Sequence, residues 1–293
     1  EDVYQMVADS VEDALMNRSG YPTDDGMWAG IWRCKVSRKI CKQPTMTYTY
    51  SATVTGMRDQ IVNALRDLDT KARSMGKPSY LDFTGRVQDN RAAASYLAPI
   101  VRKAIASRMT KAAEAMAFLQ KVARVYSKTG LPLRWMTPLG VPVVQYYPSS
   151  TSELKNVFIN GQRHRLKITV AAKNRQNKKR AASGVSPNFV HSMDSTHLLW
   201  TVLESATTHD IFDFSMIHDS FGTHATGCDL LAATARETFI LLYDADRLAG
   251  FLEDIKDLLI KVKRPDLIEE LPPVPEFGTF DIETVRDSDY FFA

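Results

Sequence analysis

The chain has 293 residues, 44% of them hydrophobic and 24% charged, with a formal net charge of +3. That length allows two domains or one large one, and the composition excludes a disordered or collagen-like polymer. No apolar run approaches the roughly 18 residues of a membrane-spanning helix and no signal peptide opens the chain. The three scattered cysteines, Cys34, Cys41 and Cys228, lack a CxxC pair, which argues against a disulfide framework or a cysteine zinc site and fits a reducing cytoplasm.

The spacing of Val3, Val7, Val11 and Leu15 predicts a helix over Val3–Met16. Ser19-Gly20-Tyr21-Pro22 and Asp24-Asp25-Gly26 are loop signals. Trp28 to Tyr50 reads as one long helix, kinked where Pro44 removes a backbone hydrogen bond. Met57–Leu68 reads as a helix, and alanine-rich Asn90–Tyr126 as a helical stretch with Pro99 as its candidate break. Trp135–Tyr147, with Pro-Leu-Gly and alternating valines, predicts a hairpin or short strands. Asn156–Lys167 is the clearest hairpin, because Asn160-Gly161 is a preferred pair for a type I′ turn. Ile211–Ile217 reads as a strand ending in His218-Asp219-Ser220. Leu230–Tyr243 and Leu248–Val262 read as helices, and the tail after Pro272 as extended chain.

Charge is unevenly placed. Ile31–Tyr50 carries five bases and no acid, and Lys155–Arg180 nine bases and no acid. Phe251–Ala293 carries eleven acids against five bases. Two separate basic stretches suggest a polyanionic partner, nucleic acid being the common one, against the plain reading of two solvated faces. Arg163, Arg165 and Lys167 fall on one face of the second hairpin strand, since strand side chains alternate.

Arg38, Lys42, Met46 and Tyr50 recur at every fourth residue and form a stripe along one helix side. At 1.5 Å per residue Lys42 and Tyr50 lie about 12 Å apart, the reach of a nucleoside triphosphate from phosphates to base. Two cations could take the phosphates and the tyrosine a base or sugar. The plain reading is a cationic helix face with a core Met and Tyr.

Arg38-Lys39-Ile40-Cys41-Lys42-Gln43-Pro44-Thr45-Met46-Thr47-Tyr48-Thr49-Tyr50-Ser51 resembles motif B, R-x-x-x-K-x-x-x-M-T-x-x-Y-G, of the single-subunit DNA-dependent RNA polymerases of T7-like phages and mitochondria. The resemblance implies that Arg38 and Lys42 hold the incoming ribonucleoside triphosphate and that Tyr50 closes on it and selects ribose. Ser51 replaces the family glycine. Ile217-His218-Asp219-Ser220-Phe221-Gly222-Thr223 resembles motif C, which makes Asp219 a catalytic Mg²⁺ ligand; an Asp is also the oxygen donor that hard divalent ions prefer. The related family A DNA polymerases carry His-Asp-Glu here, so Ser220 favours an RNA polymerase.

Further segments resemble the same family in order. They are Asp2–Ala8 after motif A, Trp135–Val143 (W-x-T-P-x-G-x-P-V), Ser186–Asp194 (A-P-N-F-V-H-S-x-D), and the aromatic end Asp289–Ala293, similar to the family's C-terminal foot. The resemblance gives His191 a place among the catalytic residues, against the newly paired nucleotides. His197 and Asp194 are read as satisfied structural groups. By analogy the Asn160-Gly161 hairpin, about residues 155–168, is the loop that enters promoter DNA, with Arg163, Arg165 and Lys167 as DNA-binding candidates. A two-stranded ribbon fits the major groove. Lys178-Lys179-Arg180 would meet phosphates or solvent.

Motif A, D-x-x-x-x-G-x-Q, does not occur. One Asp cannot hold the two metal ions of nucleotidyl transfer, so a second polymerase subunit, or an N-terminal part of this polypeptide, is expected to supply the other carboxylate. Phages of the N4 type have a two-subunit enzyme of this family, so a heterodimer is one expectation, with this chain as its larger subunit. The expected fold is α+β, mostly helical: residues 1–191 as the fingers and 192–293 as the C-terminal palm of a right-hand nucleotidyltransferase, with thumb and N-terminal region absent. The implied function is DNA-templated RNA synthesis with two Mg²⁺ ions in the cytoplasm of a bacterial host. Its partners are template and promoter DNA, RNA product and ribonucleotides, with no membrane; the need for a single-stranded-DNA-binding protein in melting is open. The alternatives are a family A-like DNA polymerase fragment and a non-catalytic nucleic-acid-binding subunit.

Overall fold

A computed structural model of the chain describes residues 2–18, 23–81, 83, 89–217, 220–289 and 291, with the backbone alone at 173 and 174. It is a mostly helical α+β protein, and among the described residues the strands pair as two-stranded antiparallel sheets. The chain forms two compact units, residues 1–116 and 117–293. Among the described residues no helix is long and apolar enough to cross a membrane.

The first unit is helical. Helix α1 spans Val3–Met16, as its spacing predicts, and buries Val7, Ala8, Val11 and Leu15. Asp2 caps it by accepting the amides of Tyr4 and Gln5. The single helix expected over Trp28–Tyr50 is two: α2, Asp24–Trp32, and α3, Arg38–Tyr48. The break has a local cause. Cys34 adopts φ +58°, and the Glu12 carboxylate on α1 accepts the Cys34 and Val36 amides at 3.0 and 2.8 Å. A side chain thus satisfies backbone donors that a continuous helix would have satisfied itself. Pro44 lies inside α3 and does not end it.

Helix α4, Val54–Ser74, is longer than the Met57–Leu68 expected. Helices α5, Asn90–Arg108, and α6, Thr110–Tyr126, divide at Met109 and not at Pro99, which stays within α5. Leu97, Ala98, Ile100 and Val101 around that proline are all buried, and their packing outweighs a helix penalty of about 3 kcal/mol. Trp32, fully buried, fixes α2 to α5 through its indole N–H, which donates to the Ala93 carbonyl at 2.9 Å. Ile40, Met57, Ile61, Leu65, Leu97 and Ile105 complete this core.

The second unit holds the strands. Strands β1, Leu133–Met136, and β2, Pro142–Gln145, pair around a turn in which Gly140 sits at φ +78°. Strands β3, Pro148–Ile159, and β4, Gln162–Gln176, form a ribbon much longer than the expected 155–168. Its turn is Asn160 at φ +51° and Gly161 at φ +78°, the left-handed pair a type I′ turn requires.

A 32-residue helix α7, Lys178–His209, follows and contains Pro187. Where Ile211–Ile217 was expected as one strand, only β5, Ser215–Ile217, is strand; it pairs with β6, Ser220–Gly222. The preceding residues are tied by side chains instead: Thr223 Oγ1 donates to the Asp213 carbonyl at 2.8 Å, and His224 lies 3.3 Å from the Asp213 carboxylate. Helices α8, Cys228–Asp244, and α9, Arg247–Lys261, match expectation closely. The tail is not wholly extended: Ile282–Val285 is a short 3-10 turn, and Arg286 grips Glu237 with two 2.7 Å bonds. The core here is Trp135, Phe189 and Phe251 in mutual ring contact, with Leu242, Ile255 and Leu259.

Candidate nucleotide and nucleic-acid sites

In α3 the buried face is Ile40, Cys41, Pro44, Thr45 and Tyr48. The stripe Arg38, Lys42, Met46 and Tyr50 is therefore the opposite, exposed side; Met46 is 44% and Tyr50 39% accessible. The plain reading, a core Met and Tyr, does not hold. The two cations are braced by the start of α1. The Arg38 guanidinium pairs with the Asp2 carboxylate and stands 5.1 Å from the Tyr4 ring centroid, and Lys42 Nζ stands 6.0 Å from the same ring. The Arg38 hydrogen bond holds the Asp2 carboxyl below its usual range. Asp2 and Tyr4 thus hold two long side chains together on one helix face. Sequence reasoning matched this segment to the family but did not place it beside motif B; only the tertiary approach of α1 and α3 does that.

Tyr50 departs from the expected stripe in one respect. The helix ends at Tyr48, and the chain closes in a Schellman turn: the Ser51 amide donates to Tyr48 O at 3.0 Å and the Ala52 amide to Thr47 O at 3.1 Å. Ser51 takes φ +63°. It stands where the family has glycine, and it adopts the left-handed backbone that glycine adopts without strain. Tyr50 therefore sits at a sharply terminated helix end, partly exposed. On the buried side of α3, burial pushes the Cys41 thiol up to about 12, so it takes no part in the exposed chemistry.

The ribbon's register pairs Phe158 with Arg163, Asn156 with Arg165 and Leu154 with Lys167. Paired residues share a face, so Arg163, Arg165 and Lys167 lie together, interleaved with Phe158 and Leu154, and all five are exposed. Cations with an exposed aromatic on a twisted ribbon can meet phosphates and base edges.

Asp219 and His218 lie outside the described residues, between the paired Ile217 and Ser220. Among the described residues no three His, Cys, Asp or Glu gather as a metal site. His191 is exposed on α7 and lines a cleft of about 380 Å³ with Thr137, Val143, Ser195 and Thr196. His197 is buried and structural. Its Nε2 lies 2.8 Å from the Ala235 carbonyl, its ring contacts Phe221, Phe239 and Phe291, and burial lowers its pKa below the usual imidazole value. Asp194 is exposed. Of the C-terminal foot, Asp289 and Phe291 are described, and Tyr290, Phe292 and Ala293 lie outside. Lys178, Lys179 and Arg180 are exposed in the first turn of α7.

The geometry thus shows an exposed, braced cationic helix face and an exposed basic ribbon. In comparison with known proteins, the model of the DNA-dependent RNA polymerase family matches residues 1–270. The chain is 33% identical over 300 residues to the mitochondrial DNA-directed RNA polymerase 1 of Nicotiana sylvestris, covering 99% of this chain and 27% of that protein. It is 32% identical to DNA-directed RNA polymerase 2A of Nicotiana tabacum, covering 99% of this chain and 80% of that one. With the DNA-directed RNA polymerase of Pseudomonas phage phiKMV it shares 32% identity over 296 residues, covering 100% of this chain and 33% of that protein. The chain belongs to the DNA-dependent RNA polymerase family. It spans about a quarter of the length of the first of these relatives.

Proposed function

We propose that the chain is the fingers and C-terminal palm part of a phage-type RNA polymerase that extends RNA on a DNA template, with residues 1–191 as fingers and 192–293 as palm. The observation that carries this is the exposed set Arg38, Lys42 and Tyr50, with both cations braced from α1. In this reading Arg38 and Lys42 bind the triphosphate and neutralise the departing pyrophosphate, an electrostatic task. Tyr50 closes against the sugar. His191 faces the newly paired nucleotides from its cleft, and Arg163, Arg165 and Lys167 on the ribbon meet promoter DNA.

Asp219 is the metal ligand of this reading. A carboxylate fits a hard divalent ion such as Mg²⁺, which would supply positive charge at the attacking 3′-hydroxyl and the leaving pyrophosphate. One carboxylate does not suffice for two ions, so the second is expected from outside these 293 residues, in a partner subunit or in the same polypeptide. Ribonucleotide rather than deoxyribonucleotide use is supported by Ser220 at the motif C position and by the names of the relatives.

RNA-primed extension on a DNA template with Mg²⁺ and ribonucleotides tests the reading, first with this chain alone and then with the chain that completes it. Synthesis is expected only in the completed protein. It should be abolished by Asp219→Asn and weakened at the level of nucleotide KM by Lys42→Ala. Undiminished synthesis by Asp219→Asn would overturn the metal assignment, and equal incorporation of deoxyribonucleotides would favour the DNA polymerase alternative.

A further inference from the structure

The ribbon's strands are exposed almost throughout, whereas its base is held by a network of side-chain and backbone hydrogen bonds. Strand β2 ends at Gln145, the ribbon runs from Pro148 to Gln176, and α7 starts at Lys178. Tyr147 closes the base from both sides: its amide donates to Gln176 Oε1 at 3.0 Å, and its carbonyl accepts the Asn177 amide at 2.7 Å. Its ring lies on α7 at Gly184, where an added Cβ would stand 2.8 Å from both Cε2 and the hydroxyl oxygen. One turn further on, Asn188 Nδ2 donates to the Tyr147 hydroxyl at 3.1 Å and to Gln145 Oε1 at 3.2 Å. Gln145 Nε2 donates in turn to the Ala181 carbonyl at 2.6 Å. The Arg180 guanidinium stands 5.3 Å from the Tyr147 ring centroid. Gln145 and Gln176 are both buried.

We propose that Tyr147, seated on Gly184 and bonded by Asn188, is a latch that fixes the direction of the ribbon, making these three positioning residues for DNA recognition. The inference rests on the reading of the ribbon as the promoter-contacting element. The leverage is geometric. Strand β3 is about 30 Å long from its register shift near Ser150 to its tip, at roughly 3.4 Å per residue. A rotation of about 10° at the base therefore moves the tip by about 5 Å, more than the 3.4 Å between successive bases of a strand. Only a base that cannot swivel presents Arg163, Arg165 and Lys167 in one register. The missing side chain of Gly184 leaves room for the ring, and the bonds to Gln145 and Gln176 orient the ribbon relative to β2 and α7.

The test uses the complete polymerase and two duplex probes at one salt concentration: a sequence enriched from random DNA by binding to the unmutated enzyme, and unselected random duplex. The readouts are the ratio of the two affinities, RNA-primed extension on a single-stranded template, and thermal stability. Gly184→Ala, which pushes the ring away, is expected to cut the affinity ratio about tenfold with primer extension within twofold. Tyr147→Phe, which removes only the hydroxyl, is expected to cut the ratio two- to threefold. It also keeps the test open should Gly184→Ala fold poorly. A ratio unchanged in both variants while Arg163→Ala lowers it would overturn the latch alone. A ratio falling only in step with extension and melting temperature would reduce these residues to general packing and likewise overturn it. A ratio unchanged by Arg163→Ala and Arg165→Ala would overturn the reading of the ribbon itself, and the latch with it.

Discussion

Ser51→Gly is expected to stabilise the first unit. An L-residue held in the left-handed region costs roughly 1–2 kcal/mol, and Ser51 is held there at φ +63° by the two closing bonds of the α3 terminus. Glycine removes that strain but gains about 0.4–1 kcal/mol of unfolded-state freedom, so the backbone terms alone favour glycine by about 0.5–1 kcal/mol. For a unit ending at Met116 this corresponds to a rise in melting temperature of about 2–4 °C. Differential scanning calorimetry of the chain, following the transition of that unit, reads it directly. The bonds from the Ser51 and Ala52 amides survive the change, so Tyr50 keeps its position and ribose selection in the completed polymerase is expected to hold within twofold. A lowered melting temperature would refute the reasoning, because the Ser51 side chain would then contribute more than its backbone strain costs.

Glu12→Ala leaves the Cys34 and Val36 amides without their acceptor and is expected to cost about 1–3 kcal/mol by urea denaturation; a loss below 0.5 kcal/mol would show that water replaces the carboxylate. Tyr4→Leu removes the ring beneath Arg38 and Lys42 and is expected to raise the nucleotide KM about two- to fivefold with kcat nearly unchanged; an unaltered KM would mean that the cations need no brace. Of the three thiols, Cys34 and Cys228 are expected to react promptly with a disulfide reagent in the native chain, and Cys41, buried with its pKa raised to about 12, only after unfolding. The folded-state pKa of His197 lies below its unfolded value. Its contribution to stability is therefore present above pH about 6.5 and is lost as pH falls from there through the folded pKa. His197→Gln is expected to flatten the stability profile between pH 7 and 5, and an unchanged slope would assign the acid sensitivity to other groups.

Much of this was legible in the sequence, for identifiable reasons. Helix α1 follows from four apolar residues at helical spacing, and the ribbon turn from Asn160-Gly161, because local chemistry decides both. The limits of α8 and α9 were also legible, whereas those of α2 to α6 were harder to read. The break at Cys34 depends on Glu12, 22 residues earlier in the chain, and the survival of α5 through Pro99 depends on a core that no window of sequence contains. The stripe on α3 was legible as a pattern, but its exposure and its brace by Asp2 and Tyr4 come from tertiary approach. Tyr147 had no signal of its own, and α7, on which Gly184 receives its ring, was not read from the sequence.

The ribbon contributes almost nothing to either hydrophobic core, since its side chains beyond the base face solvent on both sides. Its residues are therefore nearly exempt from the constraints that packing places on the rest of the chain. On the proposed reading, substitutions at Arg163, Arg165, Lys167 or their paired neighbours would alter what is recognised without lowering the stability of the two cores. If the ribbon meets DNA as proposed, selection can change the recognised sequence by rewriting its solvent-facing positions while the helix face around Arg38 and Lys42 stays as it is. A hairpin of this length, closed by Asn160-Gly161 and anchored at Tyr147, is a segment whose sequence can change with little cost to the packing beneath it.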